Sequence, residues 1–110
     1  MAANIIEIAS LAELDALFEG SHSAPVILFK HSNTCGISAD LFEQISEIQS
    51  DIHVVVVQRD RPVSDSIAAR TGFRHQSPQA FVLKSGKPVY QASHYGIDIR
   101  RIAESMELAK

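Results

Sequence analysis

The sequence is poorest in cysteine: a single thiol, Cys35, stands in a chain of 110 residues. A lone cysteine excludes an internal disulfide, so the fold has to rest on buried apolar surface rather than on covalent staples. Tryptophan is absent, aromatic residues make up 6%, and the net charge is only −3, with acids and bases interspersed. So small and mixed a charge leaves no electrostatic footprint for nucleic acid or a membrane surface. Long apolar runs are also missing, and none approaches the ~20 residues that span a bilayer. The opening "MAANIIEIAS" has neither the basic start nor the long apolar stretch of a secretory signal. A cytoplasmic, reducing compartment is the expectation. No repeat, low-complexity tract or linker interrupts the chain, and residues 1–110 are expected to form a single domain.

What is present is a regular succession of short apolar segments. "NIIEI" reads as a short edge strand. In "SLAELDALFEG", Ser10 and Glu13 have the spacing of a capping box, and Leu11, Leu14, Leu17 and Phe18 share a face. Gly20 is placed to end that helix in a left-handed conformation. "VILFKH" after Pro25 reads as a buried strand. From Cys35 onward Ile37, Leu41, Ile45 and Ile48 recur at helical spacing, with Phe42 beside them.

The run "HVVVVQ" suits a strand covered on both faces, because β-branched side chains fill a pleated, buried surface. Asp60 and Pro62 open a short helix that Gly72 stops. "QAFVLKS" and "KPVYQASH" are joined by a gap of hairpin length, with Gly86 available for a positive φ. Asp98 caps a last helix whose face is Ile99, Ile102, Ala103 and Met106. The order is β-α-β-α-β followed by α-β-β-α. The early crossovers imply a parallel N-terminal half, and the late hairpin an antiparallel C-terminal half, in one mixed sheet with helices on both faces. That is a thioredoxin-like α/β fold.

Two places in this frame carry chemistry. The first is "HSNTCGIS", residues 31–38. With a helix beginning at Thr34 or Cys35, the sulfur lies over backbone amides that lack an intrahelical partner, and the amides near Gly36, Ile37 and Ser38 face it. The helix dipole favours the thiolate by about 0.3–1 kcal/mol, so hydrogen bonds from those amides and from the Thr34 and Ser38 hydroxyls have to supply the rest. Buried free cysteines usually act as small apolar filler. Here Ser32, Asn33, Thr34 and Gly36 are small or polar, as at an exposed turn. Cys35 is therefore the candidate catalytic nucleophile. In the motif Cys-x-x-Ser, Ser38 stands where a second thiol would resolve a mixed disulfide, and it cannot do so.

The second place is "HQSPQAFVLKSG". In thioredoxin-like folds a cis-proline precedes this strand and lies against the active cysteine, and the residue before it offers its backbone to an extended substrate. Ser77 and Pro78 are the matching candidates for substrate binding. His31 and His94 end strands and His75 lies just before Ser77-Pro78, so all three are further substrate-binding candidates on the same rim, where a histidinium would also stabilise a thiolate. No histidine pair has metal-ligand spacing beside the cysteine, so no metal is expected.

The stretches "FKHSNTCGIS", "RPVSDSIAARTGFRHQSPQAF" and "ASH" resemble a known family, the bacillithiol system redox-active proteins called YtxJ, or monothiol bacilliredoxins. The resemblance runs from about residue 25 to the last helix. It implies a monothiol thiol-disulfide oxidoreductase that removes bacillithiol, or a similar low-molecular-weight thiol, from protein mixed disulfides through Cys35. Bacillithiol would be a co-substrate rather than a tightly bound cofactor, and the partners would be S-thiolated client proteins and a thiol or reductase. The chain departs from the family at Gly36, where proline is usual. "CGIS" is also similar to the Cys-Gly-Phe-Ser of monothiol glutaredoxins, which carry a [2Fe–2S] cluster between two subunits. A third reading is a thioredoxin-shaped binding module with an inert cysteine.

Overall fold

The structure is a computed structural model describing residues 4–110. Strand β1 (Asn4–Glu7) leads into helix α1 (Leu11–Gly20), then β2 (Val26–His31), α2 (Gly36–Ile45) and β3 (Asp51–Val56). Helix α3 (Arg61–Thr71) follows, then the hairpin β4 (Gln79–Lys84) and β5 (Lys87–Ser93), a 3₁₀ turn over His94–Gly96, and α4 (Ile99–Leu108). The element order is the one the apolar segments predict.

The strands form one five-stranded sheet in the order β1-β3-β2-β4-β5. β1 and β2 run parallel to β3, whereas β4 runs antiparallel to β2 and to β5. β2 is central, and its alternation assigns a face to each residue. Ile27 and Phe29 join Leu41, Ile45, Val54, Val82 and Ile102 in a core under α2 and α4. Leu28 joins Leu14, Phe18, Val55, Val63, Ile67 and Phe81 in a second core under α1 and α3. Two apolar layers explain why "VILF" and "VVVV" show no polar alternation: both sides of these strands are covered.

Several helix ends follow local chemistry, although Asp60 at the start of α3 makes no side-chain capping bond. Ser10 Oγ accepts the Glu13 amide, and the Glu13 carboxylate accepts the Ala9 amide, closing the expected box. Asp98 accepts the amides of Arg100 and Arg101 at the start of α4. Gly72 ends α3 at φ 78°, and Gly86 turns the hairpin at φ 77°. Gly20, expected to be left-handed, is instead the last residue of α1, and the chain leaves through Ser21 at φ −67°. The Ser21 hydroxyl explains this ending. It donates to the Phe18 carbonyl and accepts the Gly86 amide, which anchors the helix end to the hairpin turn.

Candidate active site

β2 and β4 pair with Lys30 opposite Gln79, so the loop leaving β2 and the loop entering β4 emerge side by side at one end of the sheet. The first of these loops carries Cys35 and the second carries Ser77 and Pro78. Adjacent strands are about 4.8 Å apart, which makes the two loops neighbours. β5 brings His94 to the same end, where its amide donates to the Pro78 carbonyl at 3.0 Å. The Ser77–Pro78 peptide is cis, as expected of a thioredoxin-like fold.

Cys35 is half-buried and is the N-cap residue of α2, which begins at Gly36. Its backbone is extended, with φ −112° and ψ 120°, and its carbonyl accepts the Ala39 amide. The thiol itself forms no capping hydrogen bond. The hydroxyls expected to face it are engaged elsewhere. Ser38 Oγ, fully buried, accepts the Ser32 amide at 3.0 Å and lies 2.8 Å from His31 Nδ1. The hydroxyl can donate to Nδ1 or accept from it, according to the tautomer of the ring. Thr34 Oγ1 lies 3.3 Å from Ser32 Oγ and accepts from Gln58 Nε2 at 3.0 Å. Ser38 and Thr34 thus shape the loop that carries Cys35 and leave its sulfur uncapped.

Gln58 is a residue that sequence reasoning missed. Its amide nitrogen donates to Ser32 Oγ at 2.7 Å, and its amide oxygen accepts the Asn33 amide at 3.1 Å. One side chain beyond the valine strand therefore fastens most of the loop before Cys35. The only signal in the sequence was that "HVVVVQ" ends on an amide at the same end of a parallel neighbour of β2.

The histidines divide. The His31 ring packs against Phe42 at 4.8 Å between centroids, and burial pushes its pKa below the ordinary histidine value. His75 bonds through Nδ1 to Ser64 Oγ at 3.1 Å. Its pKa is lowered by desolvation, then by the Lys30 and Arg61 cations, against an opposing pull from Asp65. Both rings therefore favour the neutral form at neutral pH. At His31 burial, and at His75 burial and two nearby cations, work against the histidinium form.

Beneath the two loops lies a polar group that the sequence did not suggest. Lys30 is fully buried, its Nζ donating to the Ser64 carbonyl at 3.3 Å, and desolvation lowers its pKa to about 8 despite the Asp65 carboxylate. Its cross-strand neighbour Gln79 is buried too. Among the described residues, no three His, Cys, Asp or Glu side chains converge as a metal site would require.

Comparison with known proteins adds to this geometry. The family model for monothiol bacilliredoxin BrxC matches residues 6–102. A solved structure described as having a thioredoxin fold, and provisionally as an oxidoreductase, is 31% identical, with TM-score 0.84 over 92% of each chain. Thioredoxin from Schistosoma mansoni is 16% identical, with TM-score 0.73 over 96% of this chain and 94% of that one. Oxidized thioredoxin O2 from Arabidopsis thaliana is 18% identical, with TM-score 0.72 over 98% and 96%. The last two likenesses speak to the fold alone.

Proposed function

Because the chain belongs to the monothiol bacilliredoxin family, we propose that it is a YtxJ-type enzyme that takes bacillithiol, or a similar small thiol, from protein mixed disulfides onto Cys35. The observation that carries this reading is the placement of the sole cysteine, uncapped at the start of α2 and beside the loop of Ser77 and Pro78.

The chemistry follows from one sulfur. The Cys35 thiolate attacks the small-thiol sulfur of the mixed disulfide. A new disulfide forms between Cys35 and the small thiol, the old sulfur–sulfur bond breaks, and the client thiolate leaves with the electron pair. No net oxidation occurs, so neither metal nor redox cofactor enters the step. Ser38 has no thiol with which to release the adduct, so a second molecule of small thiol, or a reductase, attacks Cys35 and restores it. The Cys35 thiolate is helped by the amides and dipole at the start of α2, near Gly36, Ile37 and Ser38. Ser77 lends its backbone to the client's extended segment, with Pro78 and His94 closing the neighbouring edge. His31, whose ring is bonded to Ser38 and packs at a tilt on Phe42, borders the path of the entering thiol.

Intact-mass measurement after brief exposure to bacillithiol disulfide tests the reading. The wild type is expected to gain one adduct per chain, and Cys35→Ser none. A second arm mixes the reduced protein with a bacillithiolated client and follows client release. A wild type that forms no adduct and releases no client would overturn the reading in favour of a binding module. Transfer with no client preference over bacillithiol disulfide would overturn the role given to Ser77.

A further inference from the structure

The loop from Gly72 to Pro78 has no regular secondary structure, yet it is tied at several points. At its start, the Phe73 amide donates to Thr71 Oγ1 at 3.3 Å, and the Phe73 ring meets Phe81 edge-on at 6.2 Å. In its middle, His75 is bonded to Ser64 on the first turn of α3. Its end is held by Gln79, the first residue of β4. The Gln79 amide nitrogen donates to the Arg74 carbonyl at 3.2 Å, and its amide oxygen accepts the Gln76 amide at 3.4 Å. These partners fix the orientation of the side-chain amide, since a carbonyl can only accept and an N–H can only donate.

Gln79 is about 1% exposed and touches no surface a substrate could reach. A buried amide is costly unless its hydrogen bonds are made, and an apolar residue would continue the Phe81 and Leu83 face of β4 more cheaply. What its bonds accomplish is local: they hold the backbone one residue and three residues before Ser77.

Resting on the functional reading above, we infer that Gln79 is a positioning residue for client recognition, and that the Ser64–His75 contact is its second anchor. Gln79 holds the Arg74–Gln76 backbone so that the Ser77 amide and carbonyl face the groove where a client strand lies. It takes no part in the chemistry of Cys35, which sits on a separate loop fastened by Gln58 and Ser38. The inference therefore separates two properties: affinity for a peptide-borne mixed disulfide, and reactivity of the thiol.

The test uses Gln79→Met, which keeps the length of the side chain and removes both bonds, and Ser64→Ala, which releases only the His75 tie. Each variant is checked for folding by circular dichroism. KM and kcat are measured with a short peptide carrying bacillithiol on its cysteine, in excess free bacillithiol to regenerate Cys35, and Cys35 alkylation by iodoacetamide is followed across pH. Gln79→Met is expected to raise KM at least fivefold and Ser64→Ala about threefold, with alkylation rates and their pH profile within twofold of wild type. If both folded variants keep the wild-type KM, or if alkylation falls in step with turnover, the inference is overturned while the functional reading stands. Should Gln79→Met not fold, Ser64→Ala decides alone. A wild type with no turnover on the peptide would overturn both.

Discussion

Among single residues, Lys30 departs furthest from what a strand interior asks for. It is fully buried at the end of the central strand, with one carbonyl as its hydrogen-bond partner. Desolvation takes its pKa from 10.5 to about 8, so at neutral pH the folded protein still carries a charge it accommodates poorly. A fall of that size corresponds to about 3 kcal/mol of stability withheld at pH 7. Lys30→Met keeps the stem and removes the ammonium, and the Ser64 carbonyl keeps its place in the α3 ladder. The variant is expected to be more stable than wild type by about 1–3 kcal/mol at pH 7 in urea unfolding. The advantage should shrink as pH rises from about 8 towards 10.5, where wild-type Lys30 becomes neutral in both states. A Lys30→Met protein that is less stable at pH 7 would show that the ammonium is well solvated by its surroundings. Nothing in "VILFKH" betrayed this residue: a lysine closing a strand reads as an exposed end, and only the cover of α3 and the following loop buries it.

Secondary-structure elements were legible wherever one local force decides. The cores beneath α2 and α1 come straight from helical spacing, and the caps at Ser10 and Asp98 from short-range hydrogen bonding. The two glycines at helix ends show where that legibility stops. Both follow an apolar stripe, but Gly72 is left-handed and Gly20 is helical. The difference lies in a distant partner: Ser21 binds the hairpin turn near Gly86, so α1 ends on a tertiary contact instead of a glycine cap. Opposite outcomes follow for the same substitution. Gly20→Ala is expected to stabilise the protein by about 0.5 kcal/mol, since the backbone is already helical and nothing lies within 4 Å of the new Cβ. Gly72→Ala, forced to φ 78°, is expected to cost about 1 kcal/mol although the space around it is just as open. Equal shifts in the urea midpoint of the two variants would contradict the assignment of these helix ends. In the candidate site, the loops and the cysteine were legible from motif and order. The pairings of Ser38 with His31 and of Gln58 with the Ser32–Thr34 turn were not, because hydroxyls and amides choose partners only once the strands are side by side.

For the molecule as a whole, the loop-bearing end of the sheet is knit on both faces by neutral histidines. His31 ties β2 to α2 through Ser38, on the side of the α2–α4 core. His75 ties the loop before β4 to α3 through Ser64, on the other side. In both cases the folded protein binds its proton less tightly than the unfolded chain, whose histidines titrate near 6.5. The unfolded state therefore takes up more protons as pH falls through 6.5 towards the lower folded values, and folding stability declines over that window. Above 6.5 both rings are neutral in either state, and this contribution is fully present. Acid also acts on the contact itself: a proton on His31 Nδ1 makes that nitrogen a donor, and the Ser38 oxygen that holds the Ser32 amide then has to accept from both. The expected observation is a urea midpoint that drops as pH falls below 6.5, the ordinary histidine value. His31→Gln should flatten part of that drop, and amide hydrogen exchange should show Ser32 opening ahead of the β3 core. A midpoint that stays level or rises over the same interval would mean that the folded state holds these protons as tightly as the unfolded one. The loop before Cys35 would then be insensitive to mild acid, and its geometry would owe nothing to the neutral form of His31.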